Sequence, residues 1–440
     1  MSHPPKIALR AALPVVGKAR SKIGRGQQMK IGIDISQVVY GTGVSNYTAY
    51  LVENLVKIDT KNKYVLFGSS LRDGKKLKEF TAQFEGRPNV EVKLFHFPPL
   101  LLDFLWNRLH VFPIEKLIGE VNVFHSSDWL QPPFINPNTK KVTTVHDMVA
   151  YLFPASTHPK ILKTQKRRLS RVKTEVDAII ADSATTKEDL IKFLEVDEAK
   201  VHIIYLAPSA DFKPQDDDKV NEVLAKYKIK KPYILSVATQ EPRKNIQKLL
   251  DVFNLIGTRR DQFSLVLTGK YGWGPGFHTP EDVNWTGYVP KQDLIALYSG
   301  CRVFVYPSLY EGFGLPILEA MACGAPTVTS NNSSMAEIAK DAAILVDPRS
   351  EPQLTRAIEM VLDLNLENYQ KMVRASMDRA RKYTWAKTAR QTLDIYENLY
   401  GSMDQKIEEP KVVEEAGQNE ESRQDIEEPA QNGQLLDNES

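Results

Sequence analysis

Two series of alternating strand-like and helix-like stretches, joined by a proline-marked connection, predict an α/β protein with two parallel-sheet domains facing each other across a cleft. Three observations carry this. From Met29 onward short apolar runs recur between helical stretches. Leu206-Ala-Pro-Ser-Ala-Asp-Phe-Lys-Pro214 interrupts the alternation, which then resumes. The chain has 440 residues, 42% of them hydrophobic and 25% charged, long enough for two cores and typical of a globular protein.

In the first series the predicted strands are 31–35, 64–67, 90–94, 121–125, 141–145, 178–182 and 201–205, with a helix over 45–55. In the second they are 233–237, 263–268, 283–286, 303–306, 327–329 and 344–346, separated by helices such as 246–256 and 291–298. Helical spacing returns from Thr384 to Tyr400. The expected division is a basic, disordered extension over 1–28, a first domain over 29–207, a second over 208–382, a last helix over 383–403 and an acidic disordered tail over 404–440.

Charge is distributed unevenly behind a net +2: residues 404–440 carry twelve acids and three bases, leaving 54 bases and 43 acids, or +11, on residues 1–403. Such a body suits phosphorylated substrates or an anionic surface, and the tail, poor in aromatics, reads as disordered. The first 28 residues hold six Lys or Arg and no acid, without the apolar core of a secretory signal. With only Cys301 and Cys323 there is no disulfide framework, and Cys323 reads as a packing residue. No run of 18 apolar residues occurs to span a membrane.

The most informative segment is Pro307–Pro326, PSLYEGFGLPILEAMACGAP. A strand feeds a Gly-Phe-Gly turn, and Pro316 suits the start of a helix, so Glu311 lies at a strand's carboxyl end and Glu319 on the helix. Free N–H groups at the helix start favour an anion such as a diphosphate, and two carboxylates flanking it suit hydroxyls. A ligand with hydroxyls on both sides of a diphosphate is a nucleotide-sugar. After another strand comes Thr239-Gln-Glu-Pro-Arg-Lys-Asn245, whose Arg243 and Lys244 can neutralise a diphosphate. Gly41-Thr-Gly-Val-Ser-Asn-Tyr47 is a glycine loop opening a helix, and Thr143-Thr-Val-His-Asp147 ends a strand with a His-Asp pair.

Together these strings resemble the retaining GT-B glycosyltransferases of glycosyltransferase family 4, over roughly Met29 to Tyr400. The resemblance implies the GT-B fold, two Rossmann-like domains with the last helix crossing back to the first, acceptor-side, domain. It implies a donor site of Gly41, Gly43, Arg243, Lys244, Gly287, Tyr288, Gly312, Phe313, Gly314, Leu315 and Glu319, with Thr286-Gly-Tyr-Val-Pro290 at the nucleobase. Glu311 would hold sugar hydroxyls and Glu319 the ribose. His146 would lie near the reacting sugar as a neutral imidazole donating to a hydroxyl, with Asp147 fixing its tautomer or positioning the acceptor. His125 and nearby Asp128 are lesser candidates.

The expected activity is metal-independent, retaining transfer of a hexose, such as mannose or glucose, from a nucleoside diphosphate sugar to a glycan or lipid-linked acceptor. No cofactor beyond that co-substrate, no metal and no nucleic acid is expected. Asp216-Asp217-Asp218 fits a D-x-D metal pattern but precedes a helix, where carboxylates favour the free N–H groups. The alternatives are a nucleotide-sugar epimerase on the same fold and a catalytically silent binding subunit. Gly269–Gly276 is a glycine-rich turn that reads equally as a lid or a surface loop. Lys160–Lys173 is a basic helical stretch and Leu94–Leu105 an apolar one, so the expected location is cytoplasmic, with peripheral contact at the inner membrane face as an option.

Overall fold

The computed structural model describes residues 28–256, 262–270 and 283–407. Both basic and acidic terminal extensions fall almost wholly outside these residues, as do positions 271–276 of the glycine-rich turn. The described chain forms two all-parallel sheets. The first holds β1 (Lys30–Asp34), β2 (Lys63–Ser69), β3 (Val90–Phe95), β4 (Val123–Ser126), β5 (Lys140–Val145), β6 (Ala178–Ala181) and β7 (Val201–Ile203), in the order 3-2-1-4-5-6-7. The second holds β8 (Tyr233–Val237), β9 (Ser264–Thr268), β10 (Val283–Gly287), β11 (Val303–Tyr306), β12 (Thr327–Ser330) and β13 (Ile344–Val346), in the order 10-9-8-11-12-13.

Burial explains why the strands read as apolar runs. β4, β6, β11 and β12 are buried at every position, since helices cover both faces of a parallel sheet, whereas the edge strand β3 is only half-buried. Each sheet order reverses once, between β1 and β4 and between β8 and β11. Chains leaving those neighbouring strands diverge, so a crevice opens outside their carboxyl ends, and this is where open α/β sheets bind ligands. The loops after β1, β8 and β11 are the three glycine-, arginine- and glutamate-bearing loops of the sequence.

The last helix, Trp385–Ile407, does not stay with the second sheet. It packs on the helix Gly43–Ile58 of the first domain, with Trp385, Ala389, Leu393 and Tyr396 joining Tyr47, Leu51 and Leu55 in one hydrophobic cluster. Trp385 stacks obliquely on Tyr50 at 5.3 Å, and the Thr388 hydroxyl donates to the Tyr205 carbonyl at 2.7 Å. This is the crossing helix of a GT-B architecture.

Candidate active site

The half of the site in the second domain is built from the loops after β8 and β11. A 3-10 turn over Pro242–Lys244 ends at Asn245, whose left-handed backbone (φ 58°) starts the helix Ile246–Leu255. Asn245 donates to the Pro307 carbonyl at 3.1 Å, and the Leu309 N–H donates to the Arg243 carbonyl at 2.8 Å, so the two loops are tied together. Between them the Arg243 guanidinium and the Lys244 ammonium meet the Glu311 carboxylate at 2.9 and 2.8 Å. Lys244 also donates to the Tyr306 hydroxyl at 2.8 Å, and Glu241 takes the other side of Arg243 at 3.2 Å.

Glu311 is buried. Burial opposes its charge, but Arg243 and Lys244 overcome that and hold its carboxyl down at about 2. Burial likewise pulls the Lys244 ammonium down, against the pull of Glu311. Ser334 fixes the loop backbone by donating to the Glu311 carbonyl at 2.8 Å.

The turn that follows depends on two glycines. Gly314 has φ 97° and caps the helix Leu315–Ala322, with Pro316 in its first turn as the sequence predicts. Gly312 lies directly against the first domain, where a Cβ would collide with the His146 carbonyl and crowd Asp147. Its own carbonyl accepts from the hydroxyls of Ser183 at 2.7 Å and Thr186 at 3.2 Å. Phe313 is buried between Tyr205 and Tyr383, with ring centroids at 6.4 and 6.3 Å. Nearby, Glu337 of the second domain accepts from the Ala184 N–H at 3.1 Å and the Tyr205 hydroxyl at 2.5 Å.

Glu319 is half-buried on a helix otherwise lined with Ile317, Leu318, Ala320 and Met321. Burial pushes its carboxyl up to about 7, and the Tyr298 hydroxyl, donating at 3.2 Å, only partly offsets this.

In the first domain His146 follows β5, and its Nδ1 meets Asp182, just past β6, at 2.7 Å. This corrects one of the two roles expected of Asp147, fixing the tautomer; Asp147 is exposed and accepts from the Val149 N–H at 2.9 Å instead. It also bears on the charge of the imidazole. Burial works against the charged ring, yet Asp182 at hydrogen-bond distance raises His146 to about 9. The pairing thus favours the charged ring. Its Nε2 is buried with no hydrogen-bond partner among the described residues, as is one oxygen of Asp182. A cavity of about 10 Å³ beside the ring, walled by Asp34, Gln37, Asp128 and Thr144, has room for a water or a hydroxyl and no more.

His125 is fully engaged, to Tyr396 of the crossing helix at 2.6 Å and Thr144 at 2.9 Å, and burial holds it down at about 3. It is a neutral structural link. Asp128 receives Arg168 at 3.1 Å, so the basic helix Pro159–Glu175 gives one of its cations to the interior.

The loop after β1 completes the cleft. Gly41 takes φ 62°, Gly43 begins the helix Gly43–Ile58, and a Cβ there would meet open space. Ser45 closes a capping box with Thr42 and donates to the Gln37 carbonyl at 2.7 Å. Lys270 reaches the Gly41 carbonyl at 3.4 Å and lies over the Tyr288 ring at 5.4 Å, bridging the glycine loop to the Gly287–Tyr288 loop. Gly287 has φ 70° and Tyr288 is exposed.

The structure thus gathers Arg243, Lys244, Glu311, Gly312 and His146 at one place. Glu319 stands on the helix behind the turn and Gly287 and Tyr288 at a neighbouring loop. Asp182, Tyr306, Tyr298 and Lys270 were not anticipated; only Asp182, at the end of a predicted strand, carried a signal. Asp216 caps the helix Asp217–Lys226 through the Lys219 N–H at 2.9 Å.

The model of Glycosyl transferases group 1 matches residues 219–379, and that of Glycosyltransferase Family 4 matches residues 41–207. The O-antigen chain mannosyltransferase B of Escherichia coli is 29% identical over 382 residues, 81% of this chain and 96% of that protein. The serotype-specific mannosyltransferase WbdA of Escherichia coli is 29% identical over 61% of this chain, which spans only 35% of it. Among solved structures a glycosyltransferase from Rickettsia africae superposes with a TM-score of 0.63 at 18% identity, over 85% of this chain and 99% of that one.

Proposed function

The chain belongs to the family 4 glycosyltransferases of GT-B fold, and from that premise we propose that it transfers a hexose, mannose first among candidates, from a nucleoside diphosphate sugar to a glycan or lipid-linked acceptor, retaining the anomeric configuration without a divalent metal. The observation that carries this reading is the meeting of Arg243, Lys244 and Glu311 at the switch point of the second sheet, with His146 against Gly312 from the other side. The names of the two Escherichia coli relatives favour mannose.

Arg243 and Lys244 bind the diphosphate. As the bond from the sugar's anomeric carbon to phosphate oxygen breaks, its electron pair moves onto the diphosphate, and the two cations stabilise that charge. The acceptor oxygen bonds the anomeric carbon on the face the diphosphate leaves, and its proton passes to the departing phosphate oxygen. Glu311, fixed by its cations, accepts from donor-sugar hydroxyls. His146, held by Asp182, donates from Nε2 to a sugar hydroxyl. Glu319 accepts from the ribose.

A thermal-shift comparison of GDP, UDP and ADP, followed by transfer from the corresponding sugars with and without EDTA, tests this. One nucleotide should raise the melting temperature, and transfer from its sugar should survive the chelator. Loss of transfer that manganese or magnesium restores would overturn metal independence. Conversion of one nucleotide-sugar into another without acceptor would favour an epimerase.

A further inference from the structure

Beside the small cavity at His146 runs a groove of about 550 Å³. Four separate parts of the first domain build its wall: the segment from Ser36 to Val44, the short helix Pro99–Leu102, residues 127–130, and the first turns of the helix Pro159–Glu175. Gln37 and Asp128 line both spaces, so the groove's inner end abuts the small cavity at His146, into which a sugar hydroxyl fits.

The acids in the groove wall are already committed. Asp103 is held by Arg167 at 3.2 Å, and Asp128 by Arg168 at 3.1 Å. What remains along the wall is largely apolar, chiefly Tyr40, Val44, Pro99, Leu100, Trp129 and Ile161. The segment that carries Leu100 is apolar and exposed: Leu100 itself is 79% exposed, and Leu101, Phe104, Leu109 and Phe112 are exposed as well. Soluble surfaces rarely leave such a patch uncovered without a binding purpose. Cations stand among these side chains, with Arg108 over the Phe104 ring at 5.7 Å, Lys116 over Phe112 at 5.8 Å, and Lys160 at the groove itself.

We propose that this groove takes the hydrocarbon chain of an amphipathic acceptor, a glycan joined to a lipid through an anionic link, whose terminal sugar enters beside His146. The inference rests on the transferase reading and narrows its acceptor to the lipid-linked class. A free glycan has nothing to fill an apolar channel. A lipid-linked one matches what lines the space: polar side chains at the inner end, apolar ones along the groove, and the Lys160 cation in its wall.

The test uses octyl and methyl α-mannopyranoside, below micellar concentration, titrated calorimetrically into the full chain saturated with its nucleoside diphosphate. Each buried methylene is worth roughly fourfold in affinity, so octyl should bind at least about tenfold more tightly than methyl even with partial seating. Thr164→Trp, which fills the groove, and Leu100→Asp, which charges its lip, should each abolish that preference. Nucleoside diphosphate affinity should stay unchanged in both. Equal binding of the two glycosides, or a preference that survives both substitutions, overturns the proposal. So does a dimer in sedimentation that Leu100→Asp dissociates, since a second copy would then be the occupant. Nucleoside diphosphate binding in the parent reads the transferase assignment separately.

Discussion

Around Glu311 two cations close on one carboxylate within 2.9 Å, while around His146 a single ion pair leaves one ring nitrogen and one carboxylate oxygen without partners among the described residues. Both oxygens of Glu311 are taken before any ligand arrives, although Arg243 Nε, also buried, is left over, whereas the His146 pair leaves an atom open on each partner. A pre-paired charge cluster resists reorganisation, which suits binding an anion whose charge grows during reaction. A buried unpartnered donor is costly to leave empty, so it favours whatever hydroxyl fills it. Substitutions on the two sides should therefore fail differently.

The largest effect should come from Glu311→Gln. Leaving Arg243 and Lys244 buried without their carboxylate costs on the order of 3–5 kcal/mol, so the melting temperature should drop together with transfer. The parent's pH dependence follows from the same pair. A carboxyl lowered to about 2 contributes stability that is complete above its ordinary 4.5 and is lost as pH falls from there through 2. Denaturant melts across that window should show this loss in the parent and not in the variant; an unchanged melting temperature at pH 7 would contradict the role given to the pair.

Asp182→Asn comes next, and it should spare nucleoside diphosphate binding. His146 is raised to about 9, so its contribution is complete below its ordinary 6.5 and disappears as pH climbs through 9. Once the carboxylate is replaced by an amide, the alkaline limb of the pH–rate profile should move toward 6.5, with a fall in transfer of roughly ten- to hundredfold at pH 8. A profile that stays put would sever His146 from the reaction.

Glu319→Gln is a smaller probe of the donor side. With the parent carboxyl at about 7, nucleoside diphosphate affinity should strengthen as pH rises from 6 to 8, by up to about tenfold, and the variant should be flat. Titration calorimetry at the two pH values decides this.

Ser183→Ala should have the least effect, about 1 kcal/mol, because Thr186 still donates to the Gly312 carbonyl. The double change Ser183→Ala, Thr186→Val should weaken binding of the intact donor more than that of the bare nucleotide, since it loosens the turn beside Glu311. Equal losses for the two ligands would restrict these hydroxyls to holding the domains together.

Local signals made the strands legible. A parallel strand buried on both faces must be apolar throughout, and its loops must carry glycine, proline or charge, so Tyr233–Val237 and Val303–Tyr306 are marked at both ends. The loop residues were legible for the same reason, because Arg243, Lys244 and Glu311 each stand just past a strand. What the sequence hides is which strands become neighbours. Asp182 meets His146 because β6 lies beside β5, and Ser183 meets Gly312 because two domains close; neither spacing leaves a periodic trace. The tautomer-fixing role offered to Asp147 passes to Asp182 on that point. Glu319 looked like any helical glutamate, and only the packing around it, with Tyr298, gives its carboxyl an unusual affinity for protons.

The crossing helix also bears on how the chain is made. During synthesis the first sheet leaves the ribosome long before Trp385, yet Tyr47, Leu51 and His125 wait for that last helix to supply Trp385, Leu393 and Tyr396. Domains usually fold as units in the order they emerge. Here the earliest-made domain is the last to be completed, and a nascent chain halted before residue 385 would carry an uncovered apolar helix face for chaperones to hold.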